Sequence, residues 1–361
     1  MFVGGEFYYD GRWITEKPTL TTEAMYFLNG GQACLSVICD DLLQHKQDHI
    51  LLPSYLCPTI VKTLETCGMR FDFYQVNEDL SINLDDLSAK ISGYPALYFI
   101  NYFGFLHPPA ALELIKSLQQ KGVVVVEDNA QAVFTRSSTG DYIFNSLRKF
   151  APYDGGYLIT QNDVTPHLQK YAGRLNHRLP IIRDYRKRLY DYLFQDADDY
   201  EALDREFYLA ERYYETDQVV LGDAQERDHI EHLDWPAIKQ VRRDNYQYIL
   251  RLIASIPEIT PIFPELQPDN MPMGLPIYLS GVSRDKVNEM LSEYEISLTI
   301  HWEDLLLDPR INHNPTAVYM ASRMLTLPVD QRICHKHLDH LVKVLKRAIK
   351  ASKITYYSTA I

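Results

Sequence analysis

The chain of 361 residues is poor in cysteine, has no surplus of positive charge and contains no long apolar run. Its five cysteines, Cys34, Cys39, Cys57, Cys67 and Cys334, are odd in number and form no CxxC pair. That pattern argues against a disulfide framework or a zinc site and implies free thiols in a reducing cytoplasm. The formal net charge is −12, so no basic surface is offered to nucleic acid. The locally basic run from Arg183 to Arg188 lies in a helical pattern and reads as a solvated face. No apolar stretch approaches the ~18 residues that a membrane span needs. The opening MFVGGEFYYDGRW lacks the basic start and the apolar core of a signal peptide. Internal repeats and low-complexity segments are also missing.

What is present is an ordinary globular composition, 46% hydrophobic and 23% charged, long enough for two domains. From about residue 24 to 160, helix-like and strand-like segments alternate. QACLSVICDDLL carries one apolar helix face, HILLP is a short strand, and PTIVKTLETCG is a helix closed by Gly68. RFDFYQV, ALYFIN, DYIFNS and GYLIT read as further strands, with helices near 83–91 and over 109–122 between them. Such alternation predicts a mainly parallel sheet with helices on its faces. Residues 164–217 read as long, highly charged helices. From Trp235 the pattern changes to a long amphipathic helix, then the strand GLPIYLS, the helix SRDKVNEMLSEY, the strand ISLTIHW and a closing helix. The expectation is an α/β fold, with a large domain over 1–234 and a smaller α+β domain over 235–361.

Within the alternating part, GVVVVEDNAQAVF (122–134) runs four valines into Glu127 and Asp128. The valines predict a strand buried on both faces. Carboxylates at its end lie where open α/β sheets bind ligands, although a lone acidic pair also suits a solvated loop. Gly30 and Gly31 stand before a predicted helix, where free N–H groups and the dipole favour an anion such as phosphate; plain glycine punctuation is the other reading. Lys149 follows a later strand, walled by Leu147 and Phe150. It is either a surface charge or an amine desolvated enough to act as a nucleophile. A phosphate cradle, a strand-end carboxylate and a strand-end lysine together are the parts that a pyridoxal phosphate (PLP) site requires.

The segments FLNGGQACL, ILLPSYLCPT, YFINYFG, VVVVEDNAQA and SLRKFAPYDGGYLIT, followed by RRDNYQYIL, ISLTIHW and LTLPVDQR, resemble the DegT/StrS group of fold-type I, PLP-dependent aminotransferases. Many of that group aminate nucleotide-linked keto sugars. The resemblance implies that Lys149 carries the cofactor and that Asp128 pairs with its ring nitrogen. Gln131 would bond near its 3-hydroxyl, Gly31, Gln32 and Ser146 would hold its phosphate, and His301 would touch the substrate. The position of the ring-stacking aromatic falls on Cys57, with Tyr55 nearby. The Asn-Tyr-Arg segment that a neighbouring subunit contributes falls on QVV (218–220), while LNHRL (175–179) offers another Asn and Arg.

The resemblance thus implies a cytoplasmic, homodimeric aminotransferase that uses PLP and no metal. It would take an amino group from glutamate or glutamine and pass it to a keto sugar, in surface polysaccharide or secondary metabolite biosynthesis. A PLP enzyme of another reaction type, and a non-catalytic protein that keeps the fold for ligand sensing or assembly, are the alternatives.

Overall fold

A computed structural model describes the chain apart from residues 23–24, 135–138, 196–199, 218 and 359–361. After a short strand β1 (Val3–Gly4), the main body opens with β2 (Tyr26–Leu28), α1 (Gly31–Gln44), β3 (His49–Pro53), α2 (Pro58–Cys67) and β4 (Arg70–Tyr74). It continues through α3 (Leu84–Lys90), β5 (Ala96–Ile100), α4 (Pro109–Gln120), β6 (Val124–Asn129), β7 (Tyr142–Asn145) and β8 (Gly156–Thr160). Helices α5 (Thr165–Gln169), α6 (Arg178–Phe194), α7 (Tyr200–Thr216) and α8 (Ala224–Glu231) come next. The remainder is α9 (Trp235–Ile253), β9 (Ile259–Pro261), β10 (Gly274–Leu279), α10 (Arg284–Ser292) and β11 (Ile296–Ser297), then α11 (Pro315–Arg323), β12 (Met324–Pro328) and α12 (His335–Ser358).

Seven strands form one sheet in the order β2-β8-β7-β6-β5-β3-β4. The pairs from β4 to β7 are parallel, and β8 runs antiparallel to both of its neighbours. The α/β expectation is therefore met. Local chemistry explains why the elements stop where they do. α2 ends on Gly68 in the left-handed region (φ +81), a conformation cheap for glycine. β6 is central, and Val125, Val126 and Glu127 are fully buried, as a strand covered on both faces demands.

A second, antiparallel sheet has the order β12-β10-β9. β1 leaves the N-terminus to pair in parallel with β11. Arg332 ties this segment down by donating to the carbonyls of Gly5 and Glu6, the former at 3.1 Å, while it is paired with Asp330. ISLTIHW, read as one strand, is a ladder only at Ile296–Ser297. Beyond an isolated bridge from Thr299 to Thr326, the backbone turns at Trp302, which is left-handed (φ +58).

Candidate active site

Side chains alternate across a strand, so Glu127 and Asp128 face opposite sides of β6 and do different work. Glu127 is a structural tie. Its Oε1 accepts from Asn101 and Asn129, and its Oε2 accepts from the backbone N–H groups of Thr139 and Gly140, each at 3.0 Å. The loop comes so close that a β-carbon on Gly140 would stand 2.7 Å from that of Glu127. Asp128 faces the other way. Its Oδ2 accepts from the Tyr98 hydroxyl at 2.6 Å and its Oδ1 from the Ala130 N–H at 2.7 Å. Burial raises its pKa above the ordinary carboxyl range, against the lowering effect of Tyr98, Ala130 and Lys149.

Asp128 lines a cavity of about 130 Å³ together with Gly31, Gln32, Cys57, Gln131, Ser146 and Lys149. Seven of the eight residues singled out from the sequence thus meet at one place. Leu35, Ile60, Ile100 and Phe144 add apolar wall, and Tyr98, Arg148, Glu211, Tyr214 and Trp302 also line it. The cavity lies at the carboxyl ends of parallel strands, where this architecture binds ligands. Gln131 is buried, its Oε1 accepts from the Phe103 N–H at 3.1 Å, and its Nε2 has no partner. A buried donor without an acceptor is costly and signals a group that the cavity is shaped to receive.

Lys149 ends the short 3-10 turn Leu147–Lys149. Desolvation, helped by the neighbouring Arg148, pulls its pKa below that of ordinary lysine, while Cys57 and Asp128 pull the other way. The turn is pinned on both sides. Leu147 donates to the Gly155 carbonyl at 2.8 Å, and the next carbonyl after the lysine, that of Phe150, accepts from Gln331 at 2.7 Å and Arg242 at 3.2 Å. Arg242 is fully buried and also donates to Gln331, Pro272 and Met273.

The eighth residue, His301, lines a second cavity of about 340 Å³ that shares Cys57, Arg148, Lys149 and Trp302 with the first. Its Nδ1 meets the Thr326 hydroxyl at 3.0 Å. Burial, with Lys149 adding to it, lowers its pKa to about 3, so the ring is neutral. Tyr55, offered as a neighbour of the ring-stacking position, is buried away from the cavity and donates to the His301 carbonyl at 3.2 Å. Trp302 is the aromatic that reaches both cavities. In QVV, Gln218 lies outside the described residues, and the Val220 carbonyl accepts from the Asn29 N–H at 2.9 Å. From LNHRL, Asn176 donates to the Asn29 side chain at 3.2 Å, and Arg178 is buried against Asp154 and Glu211.

Sequence reasoning missed Tyr98, Trp302, Arg148, Glu211 and Tyr214. Only Arg148, next to Lys149, carried a signal that could have drawn notice. Among the described residues, no cluster of three or more His, Cys, Asp or Glu could hold a metal ion, and no helix is long and apolar enough to cross a membrane.

No protein-family model matches the sequence, and no curated protein matches it. Solved structures do. Helicobacter pylori PseC, described as an aminotransferase involved in the biosynthesis of pseudoaminic acid, superposes with a TM-score of 0.70 at 13% identity, over 97% of this chain and 99% of that chain. The aminotransferase TlmJ from Streptoalloteichus hindustanus gives 0.68 at 16% identity, over 94% of this chain and 93% of that one. The sugar-aminotransferase candidate Spr1654 from Streptococcus pneumoniae, solved in a PMP-form, gives 0.71 at 15% identity over 99% and 100% of the two chains.

The fold is that of the sugar aminotransferases. Coverage of nearly the whole of both chains means that the seven-stranded sheet, the charged helices and the three-stranded sheet all belong to the sugar-aminotransferase fold.

Proposed function

We propose that this chain is a PLP-dependent aminotransferase that aminates a keto sugar, with glutamate or glutamine as the amino donor. One observation carries the reading: a desolvated lysine and a buried, strand-borne carboxylate line the same cavity at the carboxyl ends of a parallel sheet. The residues present fit the cofactor. Gln131 has a buried donor in want of an acceptor. Gly30, left-handed at φ +140, opens α1 toward the cavity with unpaired N–H groups. Asp128 is costly to keep charged while buried, and a protonated ring nitrogen beside it offsets that cost.

When bound, PLP supplies an electron sink for the carbon that bears the donor's amino group. The protein's own residues do the rest. The depressed pKa of Lys149 makes its amine available as a nucleophile, and then as the base that would move a proton from the donor's α-carbon to C4′ of the cofactor. Asp128, oriented by Tyr98 and Ala130, would pair with the ring nitrogen of the bound cofactor and favour its protonated form. His301 stays neutral at the wall of the larger cavity, where it offers a hydrogen bond without adding a charge to Lys149. That second cavity is where the acceptor sugar enters. Residues 1–234 act as the cofactor-binding unit and 235–361 as the smaller unit, to which β1 of the first crosses over by pairing with β11. The enzyme works as a homodimer in the cytoplasm.

Borohydride treatment of PLP-loaded protein, followed by peptide mass spectrometry, tests the reading. The label is expected on the peptide that contains Lys149, and addition of glutamate or glutamine before borohydride is expected to prevent the labelling. A label on another lysine overturns the assignment.

A further inference from the structure

Arg148 ends an alternating series of charges that leads out of the protein interior. Arg186, expected from the sequence on a solvated face, is fully buried and meets Asp154 at 2.9 Å, Asp154 meets Arg178 at 2.7 Å, and Arg178 meets Glu211 at 2.7 Å. Arg148 comes last, 3.4 Å from a Glu211 that Arg178 already holds more closely. Glu6 adds a further carboxylate only at the far end, 3.4 Å from Arg186. The arginines and carboxylates of the series balance in number, but at the cavity end Arg178 and Arg148 share the one carboxylate of Glu211. The Nε of Arg148 and the Nη2 of Arg178 are buried without a hydrogen-bond partner. Guanidinium groups left this way cost solvation energy unless an anion meets them.

Tyr214, on α7, lies against both arginines, with their guanidinium carbons 4.5 and 5.1 Å from its ring centroid. Its hydroxyl reaches the glycine entry of α1. A β-carbon built on Gly30 would stand 2.9 Å from that hydroxyl and 3.9 Å from the hydroxyl of Ser146. The first hydrogen bond into α1 is that of the Cys34 N–H to the Gly30 carbonyl, so the amides before it have no partner in the helix, and Gly31 and Gln32 among them line the cavity. Two hydroxyls, the opening of a helix and a guanidinium with an unused donor thus converge on one wall.

We propose that Tyr214 and Arg148 complete, from within the same chain, a binding site for a phosphate group at the start of α1. The identity of that phosphate as the cofactor's rests on the function proposed above; the anion site itself rests on the charge series and on Tyr214. A phosphate dianion takes the hydrogen bonds of Tyr214 and Ser146 and the helix amides, and pairs with the Arg148 guanidinium, whose Nε is otherwise unused.

Equilibrium binding of three probes, PLP, pyridoxal and inorganic phosphate, to the wild type, Tyr214→Phe and Arg148→Gln is the test, with folding checked by circular dichroism. Tyr214→Phe keeps the ring against both arginines, and Arg148→Lys serves if Arg148→Gln fails to fold. Each variant is expected to bind PLP and inorganic phosphate about tenfold more weakly, the loss that removal of one hydrogen bond to a charged group brings. Pyridoxal, which has no phosphate, is expected to bind all of them equally. Affinities for PLP and phosphate within about twofold of wild type, or an equal loss for pyridoxal, overturn the proposal. Phosphate binding that shows the expected losses in a wild type unable to bind PLP supports the anion site and removes the cofactor reading. A wild type that binds neither overturns both.

Discussion

Tyr98 and Asp128 stand on adjacent parallel strands, and the hydroxyl of one donates to the carboxylate of the other across 2.6 Å. Tyr98 is fully buried, and burial with the nearby Asp128 charge holds its pKa well above that of ordinary tyrosine. The phenol therefore keeps its proton and donates a hydrogen bond to Asp128. Tyr98→Phe is expected to raise the pKa of Asp128 further and to weaken PLP binding about tenfold, as for a lost hydrogen bond to a charged group. A PLP titration followed by absorbance measures this; unchanged affinity would show that the phenol only fills space.

Asp128→Asn is expected to leave the protein folded and to slow the reaction with the amino donor by at least ~3 kcal/mol in barrier, in the range seen on removing a preorganised electrostatic group. An amide is neutral and cannot offset a charged ring nitrogen. Single-turnover measurement of the donor half-reaction gives the rate, and a wild-type rate in PLP-loaded Asp128→Asn would remove Asp128 from its role.

Glu127→Gln separates the two carboxylates. The substituted amide turns one acceptor into a donor facing the N–H groups of Thr139 and Gly140, or those of Asn101 and Asn129. The expected loss is about 2–4 kcal/mol of stability, from buried groups left without partners. Denaturant unfolding measures it. The PLP stoichiometry of the protein that remains folded is expected to stay at the wild-type value.

The parallel part of the sheet was legible because each element carried its own local signal: a valine run, a helix face, a glycine after α2. Gly31, Asp128 and Lys149 were legible because a PLP site demands a phosphate cradle, a strand-end carboxylate and a strand-end lysine, whereas Gln32, Cys57, Gln131, Ser146 and His301 came only from the family resemblance. Tyr98 was not, being one of 26 tyrosines in the chain, in a strand whose buried residues read alike. Trp302 was missed because a large residue rarely adopts the left-handed conformation, so ISLTIHW read as a straight strand. Tyr214 and Glu211 lie on a charged helix, and a helical pattern does not say which distant cavity its face will meet.

His107 and His301 give the stability a pH dependence. Burial lowers them to about 4 and about 3 respectively, whereas the unfolded chain titrates histidine near ~6.5. Between those values the unfolded state binds more protons, so stability is full above ~6.5 and falls as the pH drops toward 4. Thermal melts across that range are expected to show the decline, and His301→Asn is expected to make it shallower. A slope identical to that of wild type would mean that His301 is not held neutral.

The pairing of β1 with β11 joins segments that are far apart in sequence, and Gly4, Gly5, Glu6 and Phe7 form part of the wall of the second cavity. During synthesis those residues emerge long before their partners near Ile296 and must wait, unpaired, until the intervening chain has been made. Closure of so long a loop is slow and entropically costly, so the wall that these residues give the second cavity forms late in folding.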